Sequence, residues 1–366
     1  MKNKTLNFGT AALCFLFVLS LIPIASFAAS GPGVTVKGTI SVASTPTWDA
    51  YNPANKLMYV VDSGGNELSI INSVSSPKVV ATLRTGSSPW GATPTGSSCG
   101  NDVAVANSGG GSVSLYKSTS PYALVTTIKI PSVNPLYKTS VPREIAYAAG
   151  VLYVADGAGQ IDVINCATRI LEGSVLLTAF SSLNGAFYDS VHKIVYFADE
   201  GASSVWYFDL SGNEPSCEVP NVCLITSIGG NFTDSPAFFA EDTAGNVYFT
   251  DSVANSIRVI NLVDDVPTIN ATQYGNFYNT HEFDAPVGIA FNPVTQEILV
   301  ANTAGSREFT VLCVNTVSAF CASAGVGGFH LVSNGSLQGY GLAYDPANHY
   351  VYATNENSGS VSYLSG

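Results

Sequence analysis

The sequence predicts an all-β fold, a single seven-bladed β-propeller of four-stranded antiparallel blades, from three observations. An apolar and aromatic strand that ends in Asp or Asn recurs seven times, at intervals of 43 to 53 residues. Of the 366 residues, 46% are hydrophobic and only 11% are charged, which suits sheets that are buried on both faces. An alternating stretch over residues 34–42 precedes the first repeat without a partner of its own. Each interval has room for about four short strands and their turns.

The strand that defines the repeat is followed by a turn and then by a strand rich in β-branched and aromatic residues. Its seven copies span residues 58–62, 103–107, 152–156, 195–199, 247–251, 298–302 and 351–355. In four repeats a second Asx residue lies ten positions upstream, as Asn52 does before Asp62, which indicates a hairpin of constant length. A residue type that every repeat needs serves the turn, so we do not interpret the seven Asx residues as a carboxylate cluster.

The two ends of the chain are predicted to share a blade. The last repeat stops directly after its third strand, at residues 364–366. Residues 34–42 would supply the missing outer strand of this seventh blade and would remove an open sheet edge. No linker composition interrupts the chain, so we assign residues 29–366 to one propeller domain.

Residues 1–28 have the pattern of a secretory signal peptide. Lys2 and Lys4 form a basic start, an apolar run follows over residues 11–27, and Ser26-Phe27-Ala28 offers a cleavage site. A retained membrane anchor is the rival interpretation, but Pro23 and the small residues after it favour cleavage. We therefore expect a secreted, periplasmic or cell-surface protein, monomeric and without a membrane span after cleavage. The net charge of −12 disfavours nucleic acid as a partner.

The cysteines outside the signal segment are predicted to form disulfides, because an even number in an exported chain indicates oxidised pairs. Cys217–Cys223 and Cys313–Cys321 would each close a short loop. Cys99–Cys166 then follows by elimination. A zinc site is the rival interpretation, but no nearby histidine supports it.

The repeats resemble the NHL, YVTN and SMP-30/streptogramin-lyase-like groups of propellers. The stretch 245–259 is similar to the NHL pattern, and residues 351–361 are similar to the YVTN pattern. The resemblance extends over the chain after the signal segment. It implies the propeller fold, but it does not choose between enzymes and scaffolds, because these groups include both.

The most informative positions are those at which the repeats disagree. Aligning the repeats places one variable column at the entry to the innermost strands, and a second column, mostly glycine, directly after it. The glycines have a structural reason, because the blades crowd together near the axis. We predict that the variable column faces the mouth of the central channel and binds a ligand. The predicted contacts are Trp48, Trp90, Arg143, Glu144, Asn184 and Tyr340, together with His281 and Glu282 in a loop that precedes the sixth blade.

Two classes of function remain open. The first is a non-catalytic binding module for a protein, peptide or carbohydrate, since aromatic residues and arginine carry most interface energy. The alternative is a metal-dependent lactonase or lyase-like enzyme that uses Glu144, Asn184 and His281; the inner-strand Asp that the metal-dependent relatives would need is missing, and Asp49 is the nearest candidate. A structural role at the cell surface, large side chains that merely fill the channel, and a solvated loop at His281 are the plainer interpretations. We predict no cofactor.

Overall fold

The fold is a ring of seven four-stranded antiparallel sheets. The computed structural model describes residues 33–74, 76–211, 226–229, 235–263, 266–274, 283–304, 309–333 and 338–365. The predicted signal segment lies outside these residues, as do Cys217, Cys223, His281 and Glu282. In the part of the chain that is described, no helix has the length and apolar character needed to cross a bilayer.

Blades 1 to 6 each use four consecutive strands, with the first innermost and the fourth outermost. Blade 1 contains β2 (Pro46–Asn52), β3 (Leu57–Asp62), β4 (Glu67–Asn72) and β5 (Lys78–Arg84). Blade 2 contains β6 (Pro89–Pro94), β7 (Val103–Asn107), β8 (Ser112–Tyr116) and β9 (Leu124–Lys129). Blade 3 contains β10 (Pro142–Ala148), β11 (Val151–Asp156), β12 (Gln160–Asn165) and β13 (Ile170–Leu176).

The second half of the ring continues the same order. Blade 4 contains β14 (Leu183–Asp189), β15 (Ile194–Asp199), β16 (Ser204–Asp209) and β17 (Thr226–Gly229). Blade 5 contains β18 (Pro236–Glu241), β19 (Val247–Asp251), β20 (Ser256–Val263) and β21 (Val266–Tyr274). Blade 6 contains β22 (Pro286–Asn292), β23 (Glu297–Asn302), β24 (Phe309–Cys313) and β25 (Phe329–Val332). A 3-10 turn (Ser97–Cys99) and one short helix, α1 (Ala319–Ala324), lie in loops.

Blade 7 combines the two ends of the described chain. Its inner three strands are β26 (Gly339–Asp345), β27 (Tyr350–Asn355) and β28 (Ser360–Ser365). Strand β1 (Thr35–Ser41) pairs antiparallel with β28 and lies outermost in the same sheet. The register runs from Thr35 opposite Ser365 to Ser41 opposite Ser360.

The hydrophobic core lies between blades rather than within them. Seven apolar clusters each join two neighbouring sheets, including one between blades 7 and 1 that contains Met58, Val60 and Tyr352. Second strands such as Val103–Asn107 are buried along their whole length. This explains the continuous apolar runs of the repeat, because a strand that is covered on both faces has no polar side to alternate with.

The repeated Asx residues hold the entry of each inner strand. The side-chain oxygen of Asp156 accepts hydrogen bonds from the Val141 and Ala158 amides, both at 2.7 Å. The same arrangement joins Ser182 to Asp199 at 2.9 Å. All seven residues are buried, and Asn107, Asp251 and Asn302 likewise accept an amide from the loop before the inner strand. Their regularity therefore reflects turn structure, as the sequence predicts.

Two of the predicted disulfides are confirmed. Cys99 in the 3-10 turn of blade 2 pairs with Cys166, which follows the third strand of blade 3. Cys313 pairs with Cys321 in α1. The first bond links neighbouring blades across a sequence separation of 67 residues, whereas the second closes a loop of separation 8.

The two disulfides should differ in their effect on stability. Because a longer closed loop removes more entropy from the unfolded chain, the double change Cys99→Ala/Cys166→Ala should cost about 4 kcal/mol and Cys313→Ala/Cys321→Ala about 2.5 kcal/mol. Urea unfolding of both variants against the oxidised wild type measures the difference. An equal loss of stability in the two variants, or a larger loss in Cys313→Ala/Cys321→Ala, would contradict the prediction that Cys99–Cys166 stabilises the fold more.

Candidate functional site

The entry mouth of the channel, where the inner strands begin, is built from β-bulges. In all seven blades the pairing between the first and second strands shifts register directly after the first residue, as between Pro142 and Ile145 in blade 3. The residues inside the bulge are released from the ladder, so their side chains can point toward the axis. The variable column predicted from the sequence consists of these bulged residues. The mostly-glycine column after it also lies in the bulge, except for Trp48, which pairs with Val61.

The second column fills the channel by alternating large residues with glycine. Trp48 of blade 1 and Phe238 of blade 5 meet across the axis with ring centroids 4.4 Å apart. A Cβ on Gly185 or Gly288 would collide with a backbone carbonyl of the next blade, so the inner strands can approach closely only at glycine. Glu144 of blade 3 lines a cavity of about 250 Å³ together with these two rings.

The first column forms an arc of aromatic and charged side chains over that layer. Trp90 and Tyr340 meet edge to face at 5.9 Å, and the Arg143 guanidinium lies 5.5 Å from the centroid of the Trp90 ring. The arc runs from blade 7 through blade 4. In blades 5 and 6 the corresponding residues are Ala237 and Val287, so the mouth is one-sided.

Arg143 is held by a carboxylate that the sequence analysis missed. Its Nη1 lies 3.2 Å from Glu200 Oε1 and also donates to the Asn184 amide oxygen. Asn184 Nδ2 donates to Glu200 Oε2 at 2.7 Å, which closes the network. The position after the repeated Asx is Ser, Gly or Thr in five blades, and Glu200 and Glu356 are the exceptions, so this column carried a signal.

Exposed apolar residues border the arc on the loops that enter blades 3 and 4. Phe180 is 81% exposed and Leu136 is 63% exposed. The Asn134 side chain joins the two loops by donating to the carbonyls of Ala158 and Ala179, at 2.7 and 3.3 Å. The exposure of these residues could not be predicted from the sequence, because exposure of a loop residue depends on how neighbouring blades meet.

Two buried carboxyl groups lie below the mouth. Asp49 is 2% exposed and Glu144 is 5% exposed. Neither Asp49 oxygen has a hydrogen-bond partner outside its own residue among the described residues, and Glu144 Oε2 has none. Burial raises the pKa of both groups well above their usual values, and the Asp49 charge raises the pKa of Glu144 further. Glu144 is therefore placed beneath the mouth surface rather than on it.

Within the described part of the predicted metal set, the Asn184 amide oxygen already has a cationic partner. The Arg143 guanidinium occupies the Asn184 amide oxygen, so a divalent ion would have to displace one cation to reach that ligand. The histidines that are described lie elsewhere. His192 and His349 are in hairpins at the opposite end of the inner strands, and His330 in β25 packs on Phe320 at 4.5 Å. Burial lowers the pKa of His330.

No protein-family model matches the chain, and no curated protein matches its sequence. Solved structures do match. Virginiamycin B lyase from Staphylococcus aureus superposes with a TM-score of 0.71 at 12% identity, over 91% of this chain and 100% of that one. A streptogramin B lyase gives a TM-score of 0.70 at 11% identity, over 90% and 97%. The likeness is one of fold.

A propeller that is not named as a lyase matches nearly as well. The β-propeller domain of Cps50 (Swd1) from Myceliophteria thermophila has a TM-score of 0.66 at 12% identity, over 91% of this chain and 100% of that domain. At these identities the comparisons establish the architecture and leave the chemistry of the mouth to the side chains.

Asp49 should make stability depend on pH. A carboxyl group whose pKa is raised by folding stabilises the folded state below its unfolded pKa, about 4, and that stability is lost as pH rises through the folded pKa. Asp49→Asn should therefore unfold at higher urea than the wild type near neutral pH, by about 1.4 kcal/mol for each pKa unit removed, and should approach the wild type near pH 4.

The control is Asp284→Asn, a partly exposed aspartate in the loop before β22. Urea unfolding at several pH values between 4 and 8 compares the three proteins. If Asp49→Asn follows the same pH dependence as the wild type and the control, the buried carboxyl does not carry the effect.

Proposed function

We propose that the protein is an exported binding module whose entry mouth recognises a protein or peptide segment. The observation that supports this best is the one-sided arc in which Trp90, Tyr340 and Arg143 lie together over the layer that contains Trp48 and Phe238. Aromatic residues and arginine dominate binding energy where they lie in one desolvated patch. Leu136 and Phe180 are exposed on the loops that lead into the inner strands of blades 3 and 4, so they add apolar surface at the same end of the ring as the arc.

The electrostatics favour a ligand without strong charge. The Glu200 carboxylate compensates Arg143, so the mouth does not present a field of one sign. Amide and carboxylate groups of Asn184 and Glu200 remain at the rim beside the rings. This combination suits a peptide that inserts an apolar or aromatic side chain and forms backbone hydrogen bonds around it.

Export as a monomer is part of the proposal. The signal-peptide pattern of residues 1–28 and the two disulfides support a secreted, periplasmic or cell-surface location. The repeat signatures support a place among NHL or YVTN-type propellers.

Binding can be tested by selecting displayed peptides on the mature protein. Trp90→Ala and Tyr340→Ala should each weaken a selected peptide at least tenfold, because each removes a ring from the centre of the patch. The matched control is Val294→Ala, an exposed residue in the β22–β23 hairpin on the opposite face. Calorimetric titration gives the affinities. If no selected peptide depends on Trp90 or Tyr340 and the protein instead binds a glycan on an array, the ligand is a carbohydrate and not a peptide.

A lyase-like activity is the second candidate. Two observations favour it: the fold likeness to the lyases, one of which was solved as a catalytically inactive histidine variant with quinupristin, and the paired buried carboxyl groups Asp49 and Glu144. The described part of the mouth contains no histidine, and His281 lies outside it.

Quinupristin consumption separates the two candidates. Under the binding proposal the wild type should leave quinupristin unchanged, with or without Mg²⁺, when followed by liquid chromatography. Consumption that is lost in both Glu144→Gln and His281→Ala would overturn the binding proposal in favour of the enzyme.

A further inference from the structure

The opposite end of the channel, where the inner strands finish, contains a break in the repeat. The last side chain before the hairpin is aromatic or proline in six blades and glutamate in blade 5. The column consists of Tyr51, Pro94, Tyr147, Tyr188, Glu241, Phe291 and Tyr344. Glu241 lines a cavity of about 450 Å³ whose other walls are aromatic and aliphatic side chains. A carboxylate in this apolar column has no packing purpose.

A second break lies directly beside the first. In most blades an Asx residue, such as Asn52 or Asp345, begins the hairpin between the first and second strands. The third residue after it is Asn55 in blade 1 and Asn348 in blade 7. Asn348 donates to the Tyr352 hydroxyl at 2.9 Å and to the Ser73 carbonyl of the next blade at 2.7 Å. Asn55 makes the same pair of bonds to Tyr59 and Ser118, at 2.7 and 2.6 Å. This asparagine therefore fastens one blade to the next.

Blade 4 replaces that asparagine by His192. The tyrosine it would hold, Tyr196, is still present, but the imidazole turns to the hairpin aspartate instead. His192 Nδ1 lies 2.6 Å from Asp189 Oδ2. Asp189 Oδ1 already accepts the amides of Val191 and His192 at 2.9 and 2.8 Å, so the hairpin needs only one of the two carboxylate oxygens.

The two breaks meet at the interface between blades 4 and 5. Asp189, His192 and Glu241 each have one oxygen or nitrogen atom able to bind a metal, and these three atoms lie within 4.8 Å of one another. Glu241 Oε1 is buried, and no described N–H or hydroxyl group donates to it. Burial and then the charge of Asp189 raise the pKa of Glu241 to about 7. Two carboxylates are thus brought together with an imidazole, and no lysine or arginine of the described residues forms an ion pair with either of them.

We propose that Asp189, His192 and Glu241 form a divalent transition-metal site of the zinc type. One imidazole and two carboxylates are a donor set that Zn²⁺ accepts, and three protein ligands leave a further position for water or a ligand. The cavity beside Glu241 gives that position access. A cation would also relieve the repulsion between the two carboxylates. The site is on the face opposite the entry mouth, so it is independent of peptide binding there.

The test is calorimetric titration of ZnCl₂ into the chelator-treated mature protein, prepared without a histidine tag. The wild type should bind one Zn²⁺ per chain, and His192→Asn and Glu241→Tyr should each weaken binding at least tenfold. Both replacements introduce residues that other blades use at the same position, so the blades should still assemble. Circular dichroism and thermal unfolding check this. Glu241→Gln keeps the size of the side chain and should lose the same affinity.

The control is His349→Ala, which removes a histidine from the equivalent hairpin of blade 7. It should bind Zn²⁺ as the wild type does, and Zn²⁺ should raise its melting temperature but not that of His192→Asn. Affinity should increase from pH 6 to pH 8, because a metal binds the neutral imidazole and the ionised carboxylate, and burial raises the pKa of Glu241 to about 7. Asp242 and Tyr196 are the further titratable groups beside these ligands. No stoichiometric binding by the wild type, or unchanged binding in His192→Asn, would overturn the proposal.

Discussion

Each sheet of this protein has two apolar faces, and only another sheet of the same kind can cover them. The seven apolar clusters all lie between blades, including the one at which β1 and β28 bring blade 7 against blade 1. Because burial of apolar area is the main favourable term in folding, no blade is expected to be stable alone. The repeat, the low charge and the pairing of the two ends of the described chain are consequences of this one requirement.

Closing a ring brings seven inner strands to one axis, where there is no space for seven full side chains. The structure solves this by placing glycine in four blades and Trp48, Glu144 and Phe238 in the other three. The β-bulge at each entry turns these residues toward the axis. The same geometry creates the entry mouth, because the bulged residue before each of them stands above the filled layer. Packing and recognition are thus assigned to adjacent positions of one strand.

Departures from the repeat are the places where function can be sought. Residues that every blade shares, such as the buried Asx, hold turns. The exceptions include Glu200 after the Asx, Asp49 in a column that is otherwise apolar, and Glu241 with His192 at the other end of the channel. A buried charge costs free energy unless it is paired, so Asp49, which is buried, indicates a role other than packing. Glu200 is exposed and instead acts on Arg143.

The sequence by itself determined the number of blades, the order of strands, the disulfides Cys99–Cys166 and Cys313–Cys321, and the columns at the entry mouth. These features depend on local spacing and on residue types that recur. Only the tertiary structure decided that Glu200 holds Arg143, that Glu144 lies below the surface, and that His192 of one blade meets Glu241 of the next. Such contacts join residues from different strands or blades, and their distances follow from how the sheets twist and pack around the axis. No period in the sequence encodes that.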